Sequence, residues 1–293
     1  MKLDGGVFLL QWATGGLLFT WVTTRRREVG LGYGWLLRAV FAVLALGGAV
    51  VLAAEGTPRA SQTVTFVATV ATAALALAVL GVSVARRRAG VHGDAARIDR
   101  KRSRVSAMLG RVDEPDAAAP SEPPLEKLPE FDPRLDLAAP AVGIIGLLAA
   151  AQFSGGPVVL AAARLIVGAA FLGCVSDAML LGHWYLVQPG LPRDAVKQLV
   201  GLTALLWPLE VAVMIWPTGM VQVLNGTVDD GWKGLLGWTW LACAGGTIAL
   251  IGLTWAALRE RAYAAVMAAT GLLYLAILTG FGTDLVARAV LRP

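Results

Sequence analysis

Apolar residues are gathered into eight long runs separated by short polar stretches: 5–23, 34–54, 64–85, 137–153, 157–187, 196–216, 235–258 and 263–286. A bilayer core is crossed by about 20 mostly apolar residues in a helix, and each run approaches or exceeds that length. The runs predict an all-α, polytopic integral membrane bundle of eight transmembrane helices. Three lie in residues 1–85 and five in 137–293, with one large polar loop, 86–136, between them. The first run is longer than a signal-peptide core and carries its basic cluster, Arg25-Arg26-Arg27, at its far end. It therefore reads as a retained span. The Ser154-Gly155-Gly156-Pro157 sequence predicts a tight turn between spans four and five.

Composition agrees with the pattern. Of 293 residues, 57% are hydrophobic and 15% charged, 34 are Gly, and mean hydropathy is +0.67. A soluble domain, a disordered chain and a disulfide scaffold are excluded by these values. Cys174 and Cys243 both fall inside apolar runs and read as small packing residues.

Charge changes the picture by adding direction. With the N-terminus outside, 19 of the 25 Lys and Arg fall in inner segments and 5 in outer ones, with Arg164 inside a span. Basic residues concentrate on the cytoplasmic side of membrane proteins, so both termini are expected outside, with the chain in the cell's inner (plasma) membrane. Trp21, Trp35, Trp184 and Trp255 then mark the inner interface, and Trp216, Trp232, Trp238 and Trp240 the outer one.

The large loop divides in two. Residues 86–112 hold nine basic residues, with Ile98, Val105, Leu109 and Val112 at helical spacing. This is the pattern of a basic amphipathic helix, suited to anionic membrane lipids or to a protein partner. Residues 113–136 hold eight acids and six prolines and read as a linker that cannot fold alone. No nucleic-acid recognition motif accompanies the basic charge.

Candidate chemistry is confined to ionisable residues within the spans, where each costs about 2.5–3.5 kcal/mol on insertion scales. Two groups follow from depth. The inner one comprises Arg38, Asp177, His183, Trp184 and Tyr185, which together are expected to bind a ligand such as a quinone or a lipid-like molecule, with Arg38 the expected partner of Asp177. The spacing of Ala169, Gly173 and Asp177 puts them on one small-residue face that a neighbouring helix can approach. The outer group is an expected Arg164–Glu210 ion pair beside Pro208, with Asp284 near enough to the outer end of its span to reach the surface.

Two histidines, of which His92 is in the polar loop, cannot supply a bis-His haem. Zinc, iron–sulfur, P-loop and Gly-x-Ser-x-Gly patterns are absent from the sequence, so no metal site and no catalytic residue is assigned. Three readings follow, the first being the one expected and the other two its alternatives. The first is a cofactor-free membrane subunit that anchors a protein partner and binds a quinone or lipid-like molecule. The second is a proton-coupled small-solute transporter, with Asp177 and Glu210 as protonation sites. The third is a structural or assembly protein without chemistry.

Overall fold

The computed structural model describes residues 4–56, 58–87, 130–187, 191, 193–217, 219–260 and 262–291. Most of the basic segment 86–112 and of the linker 113–136 lies outside the described residues. Nine α-helices are found among them: α1 (Gly5–Thr24), α2 (Leu31–Glu55), α3 (Ala60–Ala85), α4 (Ala138–Ala150), α5 (Val158–Val187), α6 (Asp194–Ile215), the short α7 (Gly219–Leu224), α8 (Leu235–Ala257) and α9 (Tyr263–Val290). A 3-10 turn, Pro133–Leu137, leads directly into α4. Eight helices are long and apolar enough to cross a membrane, the fourth being the 3-10 turn and α4 together over Pro133–Ala150. The eight-span, all-helical class expected from the sequence is therefore the fold.

Helices are the outcome because a chain in lipid must pair its backbone polar groups internally. Threonines inside the spans follow the same logic. Thr20, Thr69, Thr72, Thr203, Thr254 and Thr283 each donate to the carbonyl four residues back. At the start of α1 the Asp4 carboxylate accepts from the Val7 N–H at 3.0 Å, capping the helix. The outer surface stays apolar: Val43, Val50, Leu205, Leu278 and Val159 are exposed, the last by 83%. Such a belt is unfavourable in water and is suited to acyl chains.

The packing centres on α1, which lies between α2, α4 and α5. Gly15 of α1 meets Ala169 and Gly173 of α5, and Gln11 meets Gly168, so the two helices run parallel. A Cβ on Gly15 would overlap the Ala169 carbonyl, and one on Gly173 would overlap the Gly15 backbone. This is backbone-to-backbone contact, which small residues alone permit. The small-residue face of α5 thus receives α1. The far end of α9 folds against the start of α1: Phe281 stacks edge-on to Phe8 and Trp12 at 5.9 and 4.5 Å. The start of α1 and the end of α9 consequently lie on one face of the bundle, the terminal face. Arg25 and Arg134 lie at the opposite, arginine face.

Two boundaries differ from the sequence reading in ways that matter. The last helix runs to Val290, not to 286, and so takes Arg288 inside the fold at 1% exposure. Its guanidinium finds Asp284 one turn back, which satisfies the charge and lets the helix continue. The region 217–234, read as a loop, contains α7, because Met220 and Val223 pack against Met214, Trp240 and Ala287.

In the following loop the Asp230 carboxylate accepts from the N–H groups of Trp232, Gly234 and Leu236 at 2.9, 2.8 and 2.8 Å, closing the turn into α8. Desolvation works against ionisation here. The backbone donors, Gly237 included, outweigh it and hold the carboxyl below its usual range. A depressed folded-state value means that the stabilisation is present above the unfolded carboxyl value of about 3.9 and is lost as pH falls through the folded one. We expect the thermal midpoint of the wild type to fall through that acid range, and Asp230→Asn to lack this component. Identical acid profiles would show that the turn does not contribute.

Candidate functional site: a buried charge cluster near the chain ends

Four helices each bring a polar side chain into the third of the bundle nearest the terminal face. On α9, Asp284 and Arg288 stand one turn apart, acid before base, a spacing that places them together on one helix face. They form a bidentate pair with Arg288 Nε to Asp284 Oδ2 at 2.5 Å and Nη2 to Oδ1 at 3.1 Å. Arg288 Nη2 also donates to Gln11 Oε1 of α1. Space for the Gln11 carboxamide exists because residue 168 of α5 is glycine. A Cβ there would overlap Gln11 Nε2 and lie 3.1 Å from Asp284 Oδ1.

Glu210 enters from α6, one turn after Trp207 is tied to the Ala244 carbonyl at 3.0 Å. It has no exposed area, and its two carboxyl oxygens have no hydrogen-bond partner. It lies within hydrogen-bonding reach of Asp284 and feels the charges of Arg288 and Arg164. Two carboxylates have no donor to offer each other; one proton between them would turn the contact into a hydrogen bond. The cluster thus gathers two guanidinium groups, two carboxyl groups and a carboxamide, all from buried residues.

Arg164 is 8% exposed and serves a different purpose from the one expected. Its Nε donates to the Val213 carbonyl at 2.8 Å and its Nη2 to the Trp216 carbonyl at 3.3 Å. The last carbonyls of a helix have no partners within it, so this side chain closes the end of α6. The expected direct Arg164–Glu210 ion pair is therefore replaced by carbonyl capping, with Glu210 turned towards Asp284. The expectation that Asp284 reaches the outer surface is also corrected: it has no exposed area.

The inner group does not converge. Arg38 is paired with Asp136, not Asp177, at 2.6 Å (Nε–Oδ1) and 2.7 Å (Nη2–Oδ2). Phe131 lies under the guanidinium at 4.9 Å, and Thr24 donates to the same carboxylate at 3.2 Å. The 3-10 turn brings Asp136 to the depth of Arg38, and the fork geometry of an Arg–carboxylate pair is met there. Asp177 is left fully buried, with both carboxyl oxygens lacking a hydrogen-bond partner. Its backbone carbonyl accepts from the Tyr33 hydroxyl at 3.3 Å. Trp184 packs on Tyr33 with ring centroids 5.9 Å apart. Tyr185 is buried at 2% exposure. His183 is exposed, with Nδ1 3.0 Å from the Tyr274 hydroxyl.

Gln11, Asp136 and Arg288 were not singled out from the sequence. A signal existed for Arg288 in the four-residue spacing from Asp284, and for Asp136 in its place at the mouth of a span. Gln11 offered only its polarity in an apolar run.

No family model, curated protein or solved structure matches this chain. Fold and composition define a multi-pass helical membrane protein, and function must be argued from the buried groups themselves.

Proposed function

We propose that this chain is a proton-coupled membrane transporter in which Glu210 takes up and releases the coupling proton. The observation that carries the reading is the Glu210 carboxyl group, sealed from solvent, without a partner for either oxygen, and set against the Asp284–Arg288 pair. Intramembrane acids of this kind are characteristic of proton relays. Asp284 is engaged by Arg288 in a bidentate ion pair, whereas no donor reaches either oxygen of Glu210. A proton arriving at Glu210 lets it donate to Asp284; its departure leaves two like charges in contact. Loading and unloading therefore change the force between α6 and α9, which is the kind of differential interaction that shifts a two-state equilibrium.

Glu210→Gln tests this, since its amide donates to Asp284 permanently and preserves the packing. Infrared difference spectra on a pH step, in H2O and D2O, are expected to show a buried carboxyl signal in the wild type that the variant lacks. Proteoliposomes loaded with a pH-sensitive dye should show proton movement driven by at least one of a panel of amino acids, sugars and organic cations, and the variant should show none. A wild type with neither signal would overturn the reading.

A quinone- or lipid-binding membrane subunit is the second reading, supported by the unpartnered Asp177 carboxyl group and the Tyr33–Trp184 ring pair, Tyr33 being bonded to the Asp177 backbone carbonyl. A quinone co-purifying with the wild type and lost in Asp177→Asn would favour it.

A further inference from the structure

At the opposite end of the molecule the chain builds a second charged feature. α1 stops at Thr24, and the chain turns with the Arg27 N–H bonded to the Thr24 carbonyl at 3.0 Å. Arg27 has φ 55°, a left-handed conformation that few non-glycine residues adopt. Across from it the chain returns through Asp132 into the 3-10 turn. Between the two strokes lies a cavity of about 340 Å³ lined by Trp21, Arg25, Arg27, Asp132, Pro133 and Arg134.

Its lining carries three guanidinium groups against one carboxylate. That carboxylate is already engaged, since Asp132 Oδ1 accepts from the Arg134 backbone N–H at 2.9 Å. The Arg25 guanidinium lies 4.6 Å above the Trp21 ring, which fixes its plane. Arg27 Nε is shielded from solvent and has no hydrogen-bond partner. The cavity therefore combines excess positive charge, a donor without an acceptor, and apolar walls from Trp21 and Pro133. The carbonyl end of α1 works against an anion here, so the attraction has to come from the side chains.

We propose that this cavity is a binding site for a phosphate-bearing anion. Phosphate offers several oxygens around one centre, which suits guanidinium forks converging from different directions. A ring and a proline beside the charges leave room for the uncharged part of a phosphoester. The cavity opens just past the end of a 20-residue span, the level of phospholipid headgroups, so an anionic phospholipid can reach it without leaving the bilayer. Soluble phosphate presents the same chemistry. The site does not depend on proton coupling at Glu210.

The full chain, purified in maltoside, is titrated with dioctanoyl phosphatidylglycerol, dioctanoyl phosphatidylcholine and inorganic phosphate, and read by native mass spectrometry and thermal shift. We expect saturable binding of one phosphatidylglycerol, weaker binding of the zwitterionic lipid, and a loss of about tenfold in Arg25→Gln, Arg27→Gln or Arg134→Gln, the factor for one charge-assisted contact. Arg25 and Arg134 are exposed, so their variants should fold normally. Arg26→Gln is the control, because Arg26 is exposed and does not line the cavity. Saturable competition by inorganic phosphate would assign the site to a soluble phosphate; binding of the lipid without such competition would assign it to a headgroup. Absence of saturable binding of both phosphatidylglycerol and inorganic phosphate, or an Arg26→Gln effect as large as the others, would overturn the proposal.

Discussion

Arg288→Met is expected to cost about 3–5 kcal/mol, the range for removing one partner of a buried ion pair. The loss follows from what remains. Asp284 would keep a charge with no counter-ion in bonding distance, Gln11 Oε1 would lose its donor, and Glu210 would face an uncompensated carboxylate. Methionine fills much of the space of the arginine stem, so the effect reports charge more than volume. The measurement is the thermal midpoint and monodisperse yield of the purified protein. A double variant, Arg288→Met with Asp284→Leu, should recover a large part of the loss, because no lone charge is then buried. A single variant as stable as the wild type would mean that water or another cation replaces the guanidinium, and that the cluster is not sealed.

The same cluster shows how far sequence reasoning reaches in a membrane chain. Span number and approximate limits were legible because the bilayer imposes one length and one polarity on every helix. Depth was legible too, since each residue advances about 1.5 Å along the axis. Those two quantities singled out Arg38, Arg164, Asp177, Glu210 and Asp284. Pairing was not legible, because it depends on which helices are neighbours. Gln11 and Arg288 meet across 277 residues, and nothing in either local sequence announces that α9 returns to α1. Arg38 and Asp177 satisfied depth alone, yet Asp136, from outside the apolar runs, had the geometry to take the guanidinium. Arg164 illustrates a different blind spot: its partners are carbonyl groups at the end of α6, which every sequence possesses.

The helix contact that orders all of this is the one between α1 and α5, and Gly173→Val is expected to break it. The added Cβ would overlap backbone atoms of Gly15, which cannot swing aside as a side chain can. Overpacking in a relaxed core costs about 1–3 kcal/mol, and a backbone clash between two spans lies at or beyond the upper end. Separating α1 from α5 would also displace Gln11 from Gly168 and so loosen the donor arrangement around Arg288. The variant should therefore show a lower thermal midpoint together with weakening of the Glu210 carboxyl signal, although neither substituted atom touches that site. Gly173→Ala should have the same sign and a smaller size, since it adds only the Cβ. A normal thermal midpoint for Gly173→Val would show that the two helices are not in backbone contact, and the link from this packing seam to the charge cluster would fall with it.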